Sequence, residues 1–299
     1  MSGLPPPRPF SFAMAALVVA VVATGCRGSF PPTLEGLVVA AGGHLSVTDG
    51  SGALESFDGP PGPVTAVATA AGRVVAATAD RGLATATSTG GRPGTWTSVR
   101  SPVGFAGGPP LMALSPAGGT LALAIGVLQG ERFELILLDL GTGTSRTIAV
   151  ARGLNGAPAW IGPGTIAIDV IGPAGTSEIA TIDLASRMVA DGVGNATVVS
   201  ATADGQRIAV GDTNGDVLVG DAASWRRGEP ESMTKLPPAT AAAVEALALS
   251  PDSTRLAIVR RDDVGTPSLE LLWAVGRRWV AVRAHTLTSD GPVSIGWLR

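Results

Sequence analysis

The sequence contains one cysteine, Cys26, and only two histidines, His44 and His285. A lone cysteine excludes an intramolecular disulfide, and so few Cys and His residues leave no cluster that could hold zinc. Charged residues make up 15% of the chain and its formal net charge is -3. Because nucleic-acid-binding surfaces are normally basic, this composition also argues against a nucleic-acid partner.

No motif of a catalytic site is present. The chain has no Gly-x-Ser-x-Gly sequence, which excludes the nucleophile elbow of an α/β-hydrolase. Neither histidine has a serine or cysteine motif beside it, so neither is predicted to be a general base. We therefore expect no catalytic residue, no metal ligand and no cofactor.

The first 25 residues read as a leader. The apolar run from Phe10 to Thr24 is too short for a comfortable membrane span, which needs about 20 residues. It fits the hydrophobic region of a signal peptide, and it is followed by Gly25 and Cys26. Two alternatives stay open: an ordinary secretory signal with an incidental cysteine, and an uncleaved anchor.

The sequence Ala23-Thr24-Gly25-Cys26 resembles a bacterial lipobox, with Ala23 where leucine is commoner. The resemblance implies cleavage after Gly25, a diacylglyceryl thioether on Cys26 and acylation of the new amino group. Residues 26–33 would then be a short tether stiffened by Pro31-Pro32. This predicts a protein anchored in the cell membrane on its extracytoplasmic face.

Most of the remaining chain repeats one unit. The segment Leu249-Ser-Pro-Asp-Ser-Thr-Arg-Leu-Ala-Ile-Val259 reads as a strand end, a tight turn and a second strand. A third strand ending in Asp or Trp follows, then a weaker fourth, so each unit predicts one four-stranded propeller blade. First strands are predicted to begin near Val64, Pro110, Ala157, Ala196, Val244 and Val293, at the spacing of such blades (about 40 to 50 residues).

Both ends of the repeat region are incomplete. Val293–Leu298 is a first strand with no second strand after it, whereas 36–41 and 44–49 look like second and third strands with no first. We therefore predict an all-β domain over residues 34–299. It is a six-bladed β-propeller of four-stranded antiparallel blades, closed by pairing of the C-terminal strand with the N-terminal strands, which removes two exposed edges.

The Ser-Pro-Asp-x-x-x-Leu-Ala phrase, with its partner phrase ending in Asp-Leu, resembles the repeat of TolB-type propellers, also called WD40-like or PD40 repeats. It covers most of residues 36–299. The chain also resembles the propeller part of LpqB-type actinobacterial lipoproteins, without their upstream domain. For TolB the resemblance implies a periplasmic propeller that works with partner proteins of the cell envelope.

Two acidic segments are predicted to be hairpin turns. Asp212-Thr-Asn-Gly-Asp216 lacks the glycine position of an EF-hand loop and carries the Asn-Gly hairpin signal. Asp262-Asp263, beside Arg260-Arg261, reads as a solvated hairpin tip whose ion pairs contribute little. The long polar segment 226–242 is predicted to be a surface connection or a projecting insertion.

Trp160 and Trp297 occupy matching positions in two first strands, near the predicted channel. They are expected to fill space between blades, or else to line a ligand-binding channel mouth. The leading functional hypothesis is a non-catalytic scaffold that binds an unidentified envelope protein or component. The alternatives are a metal-dependent six-bladed hydrolase or lactonase, with Glu245 as the lone acidic candidate, and a sugar- or small-molecule-binding lipoprotein.

Overall fold

The computed structural model describes residues 33–80, 82–100, 109–126, 132–152, 156–172, 175–186, 189–194, 196–212, 214–227, 229, 232–236 and 242–298. All of them belong to one compact unit, Pro32–Arg299. The predicted leader, the cleavage site at Gly25 and the predicted lipid attachment at Cys26 lie outside these residues. No helix among the described segments has the length and apolar character needed to cross a membrane.

The described chain forms six antiparallel sheets. Blade 1 consists of β1 (Leu37–Ala41), β2 (His44–Thr48) and β3 (Leu54–Ser56). Blade 2 consists of β4 (Val64–Ala70), β5 (Arg73–Thr78), β6 (Leu83–Thr89), β7 (Arg92–Pro93) and β8 (Thr97–Val99). Blade 3 consists of β9 (Leu111–Leu114), β10 (Thr120–Gly126), β11 (Arg132–Asp139) and β12 (Ser145–Arg152).

The other three blades follow in chain order. Blade 4 consists of β13 (Ala159–Trp160), β14 (Thr165–Ile171), β15 (Ser177–Asp183) and β16 (Val189–Gly194). Blade 5 consists of β17 (Val198–Ala201), β18 (Arg207–Gly211), β19 (Val217–Asp221), the helix α1 (Ala222–Arg226) and β20 (Thr234–Leu236). Blade 6 consists of β21 (Ala243–Leu249), β22 (Arg255–Arg261), β23 (Pro267–Val275) and β24 (Arg278–Thr286).

The last strand, β25 (Ser294–Trp297), is the inner strand of blade 1. It pairs antiparallel with β1, with Trp297 opposite Leu37 and Ser294 opposite Ala40. The inner strands contact one another in circular order, β25, β4, β9, β13, β17, β21 and back to β25. The predicted six-bladed ring and its closure by the C-terminal strand are therefore confirmed.

A separate apolar cluster fills each junction between neighbouring blades. The cluster between blades 5 and 6 contains Val244 and Leu256, and the one between blades 6 and 1 contains Leu37 and Leu269. Four equivalent clusters lie at the other junctions. Because each middle strand is covered on both faces, its sequence is a nearly continuous apolar run, and burial of this surface is the main stabilising term.

Hydroxyl and carboxylate groups hold the turn between the first and second strands. In blade 5 the Thr202 Oγ1 donates to Asp204 and accepts from the Arg207 N–H. The Thr202 hydroxyl and the Gln206 N–H lower the pKa of Asp204. Ser250 and Asp252 repeat this arrangement in blade 6, which explains why the Ser-Pro-Asp phrase recurs.

Three features depart from the sequence predictions. The predicted surface connection 226–242 contains the strand β20. A short helix, α1, ends at Arg226, the first residue of this segment. The helix begins after Asp221, whose carboxylate caps it by accepting from the Ala223 N–H. Prediction of Arg260 as part of a solvated tip was wrong, because its side chain is buried and donates to Glu270 and to the Gly215 carbonyl.

The turn of blade 6 has a serine where blades 3 and 5 have glycine. Ser253 has φ 60°, and the matching residues Gly118 and Gly205 have φ 72° and 67°. A side chain is strained in this left-handed region. We expect Ser253→Gly to raise the free energy of unfolding by about 0.5–1 kcal/mol. Chemical denaturation measures this.

Gly118→Ser is the matched reverse change. A Cβ at Gly118 would meet other atoms only at ordinary contact distances, so backbone strain is the added cost. It should destabilise the protein by about 1 kcal/mol. Equal stability of Ser253→Gly and the wild type would contradict the assignment of strain to this turn.

Arg255 fastens the two ends of the ring to blade 6. Its Nη1 donates to the carbonyls of Thr33 (3.0 Å) and Glu35 (3.2 Å), and its guanidinium lies 4.7 Å from the centre of the Trp297 ring. Arg255→Met removes these two hydrogen bonds, the cation–π contact and a 3.4 Å ion pair with Asp252 in the same blade. We expect a loss of about 2–4 kcal/mol of unfolding free energy, measured by urea denaturation.

Arg73 is the matched control, since it also begins a second strand and reaches the next blade. Its Nη1 donates to the Gly118 carbonyl, 2.9 Å away, and this is its one hydrogen bond to the described residues. Arg73→Met should cost about 1 kcal/mol. If the two variants lost equal stability, Arg255 would have no special part in ring closure.

Candidate functional site

The six inner strands surround a central channel. Their carboxyl ends line a cavity of about 300 Å³, and their amino ends line a second cavity of about 100 Å³ at the opposite mouth. The walls of the larger cavity are formed by small and apolar residues, among them Ala68, Met112 and Leu247. No ionisable side chain is among the described residues that line it.

Trp160 and Trp297 both lie in the wall of the larger cavity. Each side chain is buried, and each indole N–H donates to a backbone carbonyl of the preceding blade: Trp160 to Ala113 (3.2 Å) and Trp297 to Ala248 (2.9 Å). These contacts make the two tryptophans structurally equivalent. The indole N–H groups are engaged between blades, so a ligand in the cavity would meet mainly the apolar surface of the rings.

Hydroxyl groups bridge other junctions around the channel. The Ser294 Oγ accepts from the Val67 N–H (3.1 Å) and donates to the Val67 carbonyl (2.9 Å). Ser200 accepts from the Leu249 N–H. An inner strand has a sheet partner on one edge only, so these groups satisfy backbone atoms that would otherwise face the channel. Neither serine could be recognised from the sequence, because a lone serine in a strand carries no signal of such a contact.

Glu245 lies at the smaller mouth and is held by an arginine clamp. Its carboxylate forms a two-point ion pair with Arg261, with N–O distances of 3.0 and 3.1 Å, and accepts from the Val293 N–H at 2.8 Å. Arg261 also donates to the Gly291 carbonyl. The clamp therefore ties the segment leading into β25 to blade 6, and the positive charge of Arg261 would oppose a cation at this carboxylate.

The other candidate residues have structural contacts. Asp212 accepts from the N–H groups of Asn214 and Asp216 in the turn between β18 and β19, so the predicted hairpin is confirmed. His285 lies in β24, where its Nε2 is 2.7 Å from the Gly52 carbonyl oxygen. Across the described segments, no three His, Cys, Asp or Glu side chains form a group suited to a metal ion.

The comparisons with known proteins show the fold. No family model matches the sequence, and no curated protein is similar to it. TolB from Acinetobacter baumannii superposes with a TM-score of 0.65 at 15% identity, over 88% of this chain and 66% of that chain. A putative TolB from Agrobacterium tumefaciens gives a TM-score of 0.59 at 15% identity, over 89% and 94%.

A chain in the crystal structure of a nidogen/laminin complex gives a TM-score of 0.60 at 15% identity, over 87% of this chain and 97% of that chain. At these identities the likeness establishes a TolB-like six-bladed propeller and no shared activity. The likeness to LpqB-type lipoproteins stays a prediction.

Removing the charge of Glu245 tests whether this side chain has a structural role or binds a metal ion. Glu245→Gln keeps an oxygen that can accept from Val293 but removes the charge that pairs with Arg261. We expect a loss of about 1–2 kcal/mol in urea denaturation, with no effect of calcium on the melting temperature of either protein.

Glu229→Gln is the control, because Glu229 forms an exposed ion pair with Arg227. That variant should stay within about 0.5 kcal/mol of the wild type. A calcium-dependent rise in the melting temperature that is present in the wild type and lost in Glu245→Gln would instead identify a metal site.

Proposed function

We propose that the protein is a non-catalytic binding scaffold, held at the extracytoplasmic face of the cell membrane by a lipid on Cys26, that binds a protein or another component of the cell envelope. The observation that carries this proposal is the chemistry of the channel. In hydrolytic propellers the channel supplies reactive or metal-binding side chains, whereas the described lining of the larger cavity is uncharged.

The closed ring supports a scaffold in a second way. Six packed junctions and the clamp at Glu245 hold the loops at both mouths on a rigid frame, and binding residues commonly lie on such loops. Structures of similar fold include TolB and a chain in a nidogen/laminin complex. The second of these is a complex of two proteins, which favours a protein as the class of partner.

The anchor rests on the sequence Ala23-Thr24-Gly25-Cys26. Two or three acyl chains hold a soluble domain stably on a bilayer, because each buried methylene contributes about 0.8 kcal/mol. The short tether over residues 26–33 would keep the propeller close to the lipid surface. Metal-dependent hydrolysis and sugar binding are less well supported. No carboxylate is among the described residues that line the larger cavity, and the hydroxyls of Thr69, Ser200 and Thr202 there form hydrogen bonds within the ring.

Replacing Cys26 tests the anchor. The full chain with Cys26→Ala should lose acyl label in cells and move from the membrane fraction to the soluble extracytoplasmic fraction, if its leader is still cleaved. Ser29→Ala is a control that leaves the lipobox intact. Full membrane retention of Cys26→Ala, with no label in the wild type, would refute lipid attachment.

Copurification tests the scaffold. We expect the wild type, cross-linked in membranes and purified in detergent, to retain a stoichiometric partner. Arg146→Glu, on the outer strand of blade 3, tests whether that partner needs this part of the rim. Absence of any stoichiometric partner, with and without cross-linking, would count against the scaffold, and turnover of an ester or lactone by the pure protein would replace it.

A further inference from the structure

The outer turn of blade 6 departs from the repeat. In blades 3, 4 and 5 the third strand ends in an aspartate, and the next residue donates its N–H to the turn between the first two strands. These aspartates are Asp139, Asp183 and Asp221, and the N–H donors are Leu140, Leu184 and Ala222. In blade 6 the matching donor is Ala274, which bonds to Thr254, so Trp273 occupies the aspartate position.

The aspartates hold their turns through their carboxylates. The backbone N–H and the hydroxyl of Thr142 lower the pKa of Asp139, so the group is negatively charged at neutral pH. Ser186 does the same for Asp183. Blade 6 replaces this acidic turn with Val275-Gly276-Arg277-Arg278, which is apolar and cationic.

Exposed apolar side chains are concentrated here. Val275, Val280 and Val282 are 49%, 42% and 45% exposed, and only two other large hydrophobic side chains of the described residues are comparably exposed. We call this surface the blade 6 corner; it comprises Val275, Arg277, Arg278, Val280, Val282 and Arg283. None of its arginines belongs to an ion pair between described residues, although Arg283 donates to the Ser51 carbonyl and its charge contributes to lowering the pKa of Asp49.

The chain enters the ring beside this corner. Arg255 binds the Thr33 carbonyl, and Arg255 is the β-ladder partner of Trp273, two residues before Val275. If Cys26 carries the lipid, the seven residues 26–32 reach at most about 25 Å. The acyl chains would then enter the bilayer within about 25 Å of Thr33, on the part of the ring that carries the blade 6 corner.

We propose that the blade 6 corner rests on the anionic surface of the membrane. Exposed valines lose contact with water at the interface, and the arginines lie near lipid phosphates. The channel mouth beside Glu245, at the far end of the inner strands, then faces away from the bilayer and is open to a partner. This inference rests on the anchor of the proposed function, and it deepens that function by assigning an orientation.

Two other occupants fit the corner less well. A second copy would bring the arginines of both chains into one interface, which is unfavourable. An added peptide strand needs a regular edge, but the ladder between β23 and β24 shifts register between Leu271 and Leu272, and such bulges protect edge strands from pairing. Contact with an anionic bilayer requires no regular strand edge and brings no second set of arginines into the interface.

A fluorescent probe placed at the corner tests the contact. The full chain carries Val275→Cys, or Val264→Cys as the control, and is labelled with an environment-sensitive fluorophore. Val264 is 86% exposed on the turn between β22 and β23, at the opposite end of the same sheet. Intact mass reports whether Cys26 is acylated and therefore closed to the label.

The labelled proteins are placed in vesicles of phosphatidylcholine with and without phosphatidylglycerol. We expect a blue shift at Val275→Cys in the anionic vesicles and none at Val264→Cys. Each arginine near an anionic surface strengthens contact about five-fold, so adding Arg277→Glu and Arg278→Glu should shift the docking equilibrium by at least about 25-fold toward the undocked state. Arg146→Glu, on blade 3, should leave it unchanged.

The outcomes separate this inference from the proposed function. If Cys26 is acylated but the fluorophore at Val275→Cys shows no blue shift, the proposed orientation is wrong, whereas the anchored scaffold is not contradicted. A blue shift without acylation supports the corner and overturns the anchor. Equal blue shifts at both positions overturn the inference. A blue shift at Val275→Cys in native envelopes but not in vesicles of pure lipid also overturns it, and would assign the corner to a protein partner.

Discussion

The pairing of β25 with β1 is the interaction on which the rest of the structure depends. Blade 1 has only three strands without it, and blades 6 and 2 would each lose the neighbour against which they bury apolar side chains. The contacts of Arg255 and the Glu245–Arg261 clamp are concentrated at this closure. These contacts therefore support the one place in the described ring where a blade is completed by pairing of distant parts of the chain, between β25 and β1 within blade 1.

The architecture could be predicted because it is repeated. A strand–turn–strand phrase with Ser-Pro-Asp chemistry recurs, and the predicted starts at Val64, Pro110 and Val244 lie within one residue of β4, β9 and β21. Strand β20 could not be predicted, because Thr234–Leu236 is short and the segment around it is polar and rich in proline. Arg260 could not be recognised as buried from its own neighbourhood, since its partners Gly215 and Glu270 are brought to it by the fold.

The candidate site was predictable in position but not in role. Matching first-strand positions placed Trp160 and Trp297 at the channel, yet only the structure shows that both indoles donate to the preceding blade. Glu245 was singled out as an isolated carboxylate, and its pairing with Arg261 depends on neighbouring strands meeting in register. Where the repeat is broken, as at Trp273, the sequence signals a special position without indicating its purpose.

The position of β25 in the chain also sets an order of assembly. A ribosome delivers β1, β2 and β3 first, but their inner partner is residues 294–297, which emerge after the other five blades. Until then β1 presents an unpaired backbone edge that could join another strand. In a chain of this design the second strand of blade 1, which is made first, is therefore the last second strand of the ring to gain its inner partner.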